Sequence, residues 1–334
     1  MIFSLPHIWA GLLAFIILAY VILDGFDLGI GIIFPFFNKG TQRDTAMNTI
    51  APVWDGNETW LVLGGGGLFA AFPLAYAVVM PALYAPLIAM LLGLIFRGVA
   101  FEFRWRDKSH EKYWDFSFWA GSTMAAFSQG IVLGAYVQGI KVDGRAYGGG
   151  WMDWLTPFSL FTGTAVVLGY AFLGSCYLIL KTEGGVRETA YRLGKPLFYI
   201  LLVLIGLVSL FTPMLSPEIA QRWLTTPTLF WLAPIPLILL SCAVLLWRHL
   251  NAKRDRKIFP LALVIFTLCF IGLGAGTFPY IVPRAITVTQ AAAPDSSLEF
   301  MLVGAVVLIP MILAYTAYSY WVFRGKVKDG EGYH

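Results

Sequence analysis

The chain has 334 residues, of which 58% are hydrophobic and 13% are charged, and its mean hydropathy is +0.74. Soluble domains carry about a quarter charged residues, so this composition excludes a water-exposed surface over most of the chain and indicates a membrane protein. The formal net charge is only +4, and nucleic acid is not expected among its partners.

Nine apolar stretches along the chain are long enough to cross a bilayer. We predict spans over residues 8–36, 58–78, 81–103, 115–139, 155–180, 197–214, 228–248, 258–282 and 299–323. Four consecutive glycines, Gly64 to Gly67, weaken helix propensity in the second span, and its start can lie as early as Asn48. No hydrophilic block is long enough for a further domain, so residues 1–334 are predicted to form a single all-α integral-membrane domain.

Nine spans place the two ends of the chain on opposite sides of the membrane, and the basic residues then divide unequally between the two faces. One face holds Lys39, Arg43, Arg104, Arg106, Lys108, Lys112, Lys181, Arg187, Arg192, Lys195, Arg248, Lys253, Arg254, Arg256, Lys257, Arg324, Lys326 and Lys328. The other face holds Lys141, Arg145, Arg222 and Arg284, while Arg97 lies within a span. The positive-inside rule makes the first face cytoplasmic, so the N-terminus is predicted outside and the C-terminus inside.

Two acids lie within the first predicted span. Asp24 and Asp27 are three positions apart and therefore share one face of a helix. A carboxylate in a membrane is costly unless it is paired or faces water, so these side chains are expected to point into the protein. Gly25, Gly29 and Gly31 form a side that another helix can approach closely. The pair has two interpretations: a buried salt bridge that fixes packing, or a group that handles protons.

A second acidic cluster opens the second span at Asp55 and Glu58. Its simpler interpretation is a helix cap, because acids near a helix start satisfy free amides and favour the dipole. The predicted topology brings this cluster to the same depth as the acids of the first span and as Arg97 and Glu102 of the third. We therefore predict that six side chains converge at the cytoplasmic side as a proton path, namely Asp24, Asp27, Asp55, Glu58, Arg97 and Glu102.

The histidines and cysteines argue against a metal or haem on this chain. Membrane haems usually need an axial histidine within the bundle, whereas the four histidines lie at span ends, in loops or at the terminus: His7, His110, His249 and His334. Methionine ligation stays open, although methionine more often fills gaps in a core. The three cysteines lack metal-ligand spacing. We expect no cofactor, no metal and no catalytic residue on this chain.

Three sequence runs resemble subunit II of the cytochrome bd-type quinol oxidases. They are Leu23 to Gly31 (LDGFDLGIG), Ile50 to Trp60 (IAPVWDGNETW) and Phe96 to Arg104 (FRGVAFEFR). The runs have the order and spacing of the family, and the resemblance extends over the whole chain. The short loops and the run Asn57 to Trp60 are more similar to the cyanide-insensitive branch.

The resemblance implies a heterodimer whose subunit I carries two b-type haems, one d-type haem and the quinol site. Subunit II is then a haem-free partner built as two four-helix bundles and one peripheral helix, in the bacterial cytoplasmic membrane. A small single-helix accessory subunit, and a structural quinone or lipid, are further expected companions. Such complexes oxidise quinol and reduce dioxygen to water with protons from the cytoplasm.

Two residues acquire roles from the resemblance. In some family members a water-filled path passes the acid that matches Asp55, and the acid that matches Asp27 is tied to function or haem retention. Glu102 departs from relatives that carry Asp at this position.

Two other classes of function compete with the oxidase subunit. An ion-coupled secondary transporter could also bury acids and an arginine between glycine-rich helices. A purely structural assembly subunit could use the same charges only to secure its partner. A transporter moves solute when purified alone, whereas an oxidase subunit is inert alone and copurifies with a haem-bearing chain.

The topology can be tested with reporters fused to the two ends of the chain. A reporter that is active only in the cytoplasm should be active after His334, and one placed before the first span should report the outside. The opposite pattern would put the acids on the wrong side for proton uptake.

Overall fold

Long helices dominate the computed structural model, which describes residues 4–215, 220–221, 225–226 and 228–327. Three residues used in the sequence argument, Arg222, Lys328 and His334, lie outside these ranges. The long helices are α1 (Leu5–Ile33), α3 (Trp54–Ala71), α5 (Tyr84–Arg106), α6 (Glu111–Gln138), α7 (Pro157–Lys181), α8 (Gly184–Phe211), α10 (Pro234–Asn251), α11 (Asp255–Thr277) and α13 (Asp295–Val322). The shorter helices are α2 (Thr41–Asn48), α4 (Pro73–Ala82), α9 (Thr228–Leu232) and α12 (Val288–Ala291).

Irregular connections and two small hairpins join the helices. Strands β1 (Val142–Asp143) and β2 (Ala146–Tyr147) form one antiparallel pair, and β3 (Tyr280–Val282) and β4 (Ile286–Thr287) form the other. Short 3₁₀ helices cover Phe34–Phe36, Lys108–His110 and Thr212–Leu215.

The predicted all-α membrane class is confirmed by the helix content and composition. Within the described residues, seven helical segments are long and apolar enough to cross a membrane: Leu5–Phe36, Tyr84–Arg106, Pro157–Lys181, Gly184–Met214, Pro234–Asn251, Asp255–Thr277 and Asp295–Val322. Helices α3 and α6 are outside this set, since glycines and polar residues dilute their apolar character. Length and composition alone therefore do not establish the predicted count of nine.

Several predicted boundaries were wrong, and proline explains the largest error. The second predicted span is two helices, because α3 ends at Ala71 and α4 begins at Pro73. Proline disfavours helical geometry in the residue before it, and Phe72 has φ −133° and ψ 62°. Helix α8 begins at Gly184, well before the predicted start at residue 197, because its first turns are polar and hydropathy does not detect them.

Helix α7 lies at the centre of the packing and contacts α1, α6, α8 and α11. The predicted glycine face of α1 is confirmed at these contacts. A Cβ atom on Gly29 would lie 1.8 Å from the carbonyl oxygen of Tyr170, and one on Gly174 would lie 2.5 Å from Gly29. A Cβ atom on Gly31 would lie 2.0 Å from the Ser122 Oγ of α6. Lipid provides little hydrophobic drive between helices, so such close backbone approach supplies much of the packing.

Polar contacts anchor the C-terminal end of helix α13. Lys181, at the end of α7, donates hydrogen bonds to the carbonyl oxygens of Phe323 and Gly325. Along the rest of the helix many apolar side chains are exposed, including Phe300, Val303, Val306, Met311 and Tyr315. This surface faces lipid or another chain.

The contact between α1 and α7 predicts a specific sensitivity to side-chain size. Replacing Gly29 by Ala should destabilise the protein by about 1–3 kcal/mol, the usual cost of overpacking. The matched control is Gly206→Ala, because a Cβ atom there meets nothing within 4 Å. The measurement is the thermal unfolding midpoint in detergent, and equal midpoints for the two variants would contradict the packing argument.

Candidate functional site

Arg97 of α5 lies at the centre of a buried charged cluster. Its side chain is fully buried and forms a direct ion pair with Glu58 of α3. Its Nη1 atom lies 3.4 Å from Oδ1 of Asp24, and its Nη2 atom lies 3.8 Å from Oδ2 of Asp27. Asp24 and Asp27 are fully buried as well, whereas the Glu58 side chain is 22% exposed. Three carboxyl groups from two helices therefore surround one guanidinium.

Two aromatic rings close one side of the cluster. Trp54 and Phe101 stack with centroids 4.7 Å apart and an interplanar angle of 2°. The guanidinium carbon of Arg97 lies 5.8 Å from the Trp54 ring and 5.6 Å from the Phe101 ring. These cation–π contacts shield the charge from lipid and hold the plane of the guanidinium.

Asn57 and Tyr320 hold Asp27 in place. The Asn57 amide donates a hydrogen bond of 2.7 Å to Oδ2 of Asp27, and its oxygen accepts one of 3.0 Å from the Tyr320 hydroxyl. Asn57 is buried between α1 and α3, while Tyr320 comes from α13. Sequence reasoning assigned no role to either side chain, because the contact joins residues far apart in the chain.

A second polar chain leads from Asp24 into the protein core. Tyr170 donates to Gln129 at 2.9 Å, and the Gln129 amide donates to the Tyr20 oxygen at 2.7 Å. Tyr20 lies one turn before Asp24 on α1. Gln129 thus links Tyr170 to Tyr20 beside the cluster.

Several buried polar atoms of the cluster make no hydrogen bond within the part of the chain that the structure describes. They are both carboxyl oxygens of Asp24, Oδ1 of Asp27, Nε and Nη2 of Arg97, and Nε1 of Trp60. Buried polar atoms of this kind normally bind ordered water. We expect water between Arg97 and the acids of α1.

Asp55 lies at the edge of the cluster. It is exposed in the first turn of α3, close enough to Glu58 for electrostatic interaction. The N-cap of α3 is Val53, without a side-chain capping hydrogen bond. A side-chain capping hydrogen bond is therefore not observed here, whereas the position of Asp55 in the first turn agrees with the helix-dipole part of the simpler interpretation.

Glu102 does not join the other five side chains. It is 62% exposed and lies 3.5 Å from Arg106. Glu102 is five positions after Arg97 on α5, and this spacing corresponds to one full turn of the helix plus about 140°. The two side chains therefore point to different sides of α5. The predicted convergence holds for Asp24, Asp27, Glu58 and Arg97, with Asp55 beside them.

A second buried arginine forms a network that sequence reasoning missed. Arg104 is fully buried and donates to Asp44 at 2.6 Å, to Asp115 at 2.6 Å and to Glu111 at 2.7 Å. Arg43 completes the network by pairing with Asp115 at 2.5 Å. Arg97 and Arg104 are seven positions apart, so they lie on one face of α5, about 10 Å apart along the helix. This spacing in the sequence could have predicted that Arg104 also points into the protein.

The short loop between α5 and α6 carries a fixed negative charge beside this network. Hydrogen bonds from Ser109 and then His110 lower the pKa of Asp107 to about 2. Asp107 therefore stays ionised at neutral pH.

The described histidines lie at helix ends or between helices. His7 lies in the first turn of α1, His110 is exposed in the loop before α6, and His249 lies in the last turn of α10. Among the described residues, no group of three or more His, Cys, Asp or Glu side chains could hold a metal ion. At Arg97, one guanidinium lies among three carboxyl groups, those of Asp24, Asp27 and Glu58.

Comparison with known proteins gives one consistent result. The family model described as cytochrome bd terminal oxidase subunit II matches residues 5–323. Subunit 2 of the cytochrome bd-I ubiquinol oxidase of Escherichia coli K12 is 29% identical over 365 aligned positions, covering 97% of this chain and 95% of that protein. Subunit 2 of the cytochrome bd ubiquinol oxidase of Bacillus subtilis is 28% identical and covers 98% of both chains.

The fold has a counterpart among solved structures. A chain in the structure of bd oxidase from Geobacillus thermodenitrificans matches with a TM-score of 0.78 and 16% identity, covering 96% of this chain and 99% of that chain. At this identity the likeness supports the fold alone.

The buried ion pairs predict that Arg97 is essential for stability. Arg97→Gln leaves buried acids without their cation and should cost about 3–5 kcal/mol, seen as loss of folded protein from the membrane. Arg106→Gln is the matched control on the same helix, because its pair with Glu102 is exposed and such pairs contribute about 0–1 kcal/mol. Equal yields of both variants by fluorescence-detected size exclusion would contradict the prediction.

Proposed function

Because the chain belongs to the cytochrome bd terminal oxidase subunit II family, we propose that it is the haem-free subunit of a bd-type quinol oxidase and pairs with a haem-bearing subunit I. The complex would oxidise quinol and reduce dioxygen to water. Curated relatives of nearly the same length, named as ubiquinol oxidase subunits, support this proposal. Membership of this family also favours the function of an oxidase subunit over that of an ion-coupled secondary transporter.

The haem-free character is supported by the positions of the described histidines, all of which lie at or beyond helix ends. The two b-type haems, the d-type haem and the quinol site would then belong to subunit I. An accessory subunit, a structural quinone or lipid within the fold, and similarity to the cyanide-insensitive branch stay predictions from the sequence.

The proposed topology has nine spans in a single domain of the bacterial cytoplasmic membrane. Seven spans are supported by length and composition. The other two would be α3 and α6, since α6 has 28 residues and packs between α5 and α7, and α3 packs against α1. Two four-helix bundles with one peripheral helix, an external N-terminus and a cytoplasmic C-terminus complete the proposal.

The outward face of α3 is the proposed contact with subunit I. Thr59, Val62, Gly66 and Phe69 follow one another at helical spacing on this face, and all four are exposed. A Cβ atom on Gly66 would meet nothing within 4 Å, so the glycine leaves room for a close helix from a partner. Asp55 lies at the cytoplasmic end of the same face.

The proposed proton path runs through the Arg97 cluster to this face. The observation that carries it is the sharing of Arg97 by Asp24, Asp27 and Glu58. Glu58 is the partly exposed member of the cluster, and Asp55 lies one turn from it at the surface. Protons would move between carboxyl groups and bound water, while Arg97 balances the charge. Gln129 would close the inner end, which leaves the Asp55 side open toward subunit I.

A second candidate role is assembly alone. The full burial of Arg97 favours it, because buried ion pairs can fix helix packing without transferring protons. A proton path and a role in assembly alone predict different effects of substitutions at Asp55 on turnover per assembled haem. The Asp55 variants described below measure this difference.

The pairing predicts a clear cofactor distribution. The chain expressed alone should show no haem absorbance, and coexpression with its partner should give b-type and d-type bands in the copurified complex. The measurement is an optical spectrum together with the subunit bands on a gel. A stoichiometric haem on the isolated chain would overturn the assignment.

The proton path predicts that Asp55→Asn slows the complex without disassembling it. Size and polarity are kept but the titrating proton is removed, so quinol oxidase turnover per haem should fall more than about tenfold, or about 1.4 kcal/mol on the limiting barrier. Asp55→Glu restores a carboxyl group and should recover part of the rate.

The control for this series is Glu188→Gln, which neutralises another exposed acid in the first turns of α8. Its turnover should match the unmodified complex. Normal assembly and an unmodified rate for Asp55→Asn would mean that Asp55 is structural and that protons enter elsewhere.

A further inference from the structure

An aromatic pair joins α8 and α10 on an exposed surface. The indole nitrogen of Trp247 donates a 3.0 Å hydrogen bond to the Tyr199 hydroxyl. The two side chains are 46% and 54% exposed, so the bond lies at the surface rather than in the core. Tyrosine and tryptophan at this level of a membrane protein mark the boundary between hydrocarbon and headgroups.

Cationic side chains lie next to the pair on one side. Lys195 is one turn before Tyr199 on α8 and Arg192 lies another turn back, while Arg248 follows Trp247 on α10. Because α8 starts and α10 ends on this side, the three cations occupy the same side of the aromatic pair. Along α8, Lys195 lies about 6 Å and Arg192 about 10 Å from Tyr199, and along α10 Arg248 lies about 1.5 Å from Trp247. All three are exposed, and none forms an ion pair within the described residues.

Apolar side chains continue the surface on the other side of the pair. Val203 follows Tyr199 by one turn on α8, and Val244 and Leu240 precede Trp247 by one and two turns on α10. These side chains are 61%, 44% and 61% exposed. The two helices thus present an apolar strip, then a hydrogen-bonded aromatic pair, then three cations.

We propose that this surface binds one anionic phospholipid. The phosphate would lie between Lys195 and Arg248, the Tyr199–Trp247 pair would support the glycerol region, and the acyl chains would follow Val203, Val244 and Leu240. The sequence of apolar, aromatic and cationic groups along the membrane normal matches an amphiphile with a negative headgroup.

The other charged side chains nearby leave Lys195 and Arg248 available for a lipid phosphate. Arg187, lower on α8, is already engaged by Asp255, whose carboxylate also faces Lys326. Glu188 is exposed one turn beyond Arg192, on the side away from the aromatic pair. No acid of the described residues therefore neutralises Lys195 or Arg248 by an ion pair, and a lipid phosphate is the available counter-charge.

The test is native mass spectrometry of the assembled, delipidated complex titrated with defined lipids. Phosphatidylglycerol and cardiolipin should bind, and phosphatidylethanolamine of the same chain length should bind at least about tenfold more weakly, as expected for a site built from several cations. The double variant Lys195→Gln with Arg248→Gln should lose at least about tenfold in affinity for the anionic lipids. Trp247→Phe keeps the ring but removes the hydrogen bond and should weaken binding less.

Lys257→Gln is the matched control, since it removes an exposed cation in the first turn of α11 that has no such aromatic pair beside it. Its lipid affinity should equal that of the unmodified complex. Equal affinity of the double variant and the control, or equal binding of phosphatidylethanolamine, would overturn the proposal. Displacement of the lipid by millimolar inorganic phosphate would show a simple anion site instead of a lipid site. The proposal would also be overturned if no lipid binds because a partner subunit covers the surface.

Discussion

The structure depends on the burial of one guanidinium in a membrane-spanning helix. Arg97 cannot lose its charge, and an unpaired cation at this depth is costly. It is therefore matched by carboxyl groups from α1 and α3, with Trp54 and Phe101 against its face. This requirement fixes three helices relative to one another.

Close backbone contacts make this arrangement possible. The charged side chains can meet only if their helices approach closely, and α1 does so against α7 at Gly29 and Gly174. A similar approach joins α5 to α6, where a Cβ atom on Gly93 would lie 2.7 Å from the carbonyl oxygen of Gly121. The small residues and the buried charges thus support the same geometry, because neither helix pair could move apart without exposing polar groups to lipid.

The site and the outer surfaces divide the protein by function. In the proposed path, Gln129 closes the Arg97 cluster toward the core, and the cluster opens toward the exposed face of α3, where the proposed partner lies. On the surface between α8 and α10, exposed cations lie on one side of the Tyr199–Trp247 pair and exposed apolar side chains lie on the other. The Arg97 cluster is therefore the proposed route for proton exchange with a partner, and the surface between α8 and α10 is the proposed lipid contact.

The sequence by itself determined the membrane class, most of the helices and the candidacy of Asp24, Asp27, Glu58 and Arg97 for one charged cluster. Composition and run length are sufficient for these conclusions, because bilayer thickness and the cost of intramembrane charge act on each segment separately. The spacing of Asp24, Asp27 and Gly29 also predicted which side of α1 faces the protein. The break at Phe72 and the early start of α8 were missed, since local backbone geometry and polar helical turns do not alter a hydropathy average.

Only the tertiary structure decided which charges meet and what holds them. Asn57 contacts Tyr320 across 263 positions of the chain, and no local pattern contains such a contact. Glu102 was expected in the cluster by its depth alone, but its rotation around α5 turns it away from Arg97, while Arg104 faces Asp44, Glu111 and Asp115. Depth follows from position in the sequence, whereas the partners of a side chain depend on how the helices are rotated and packed together.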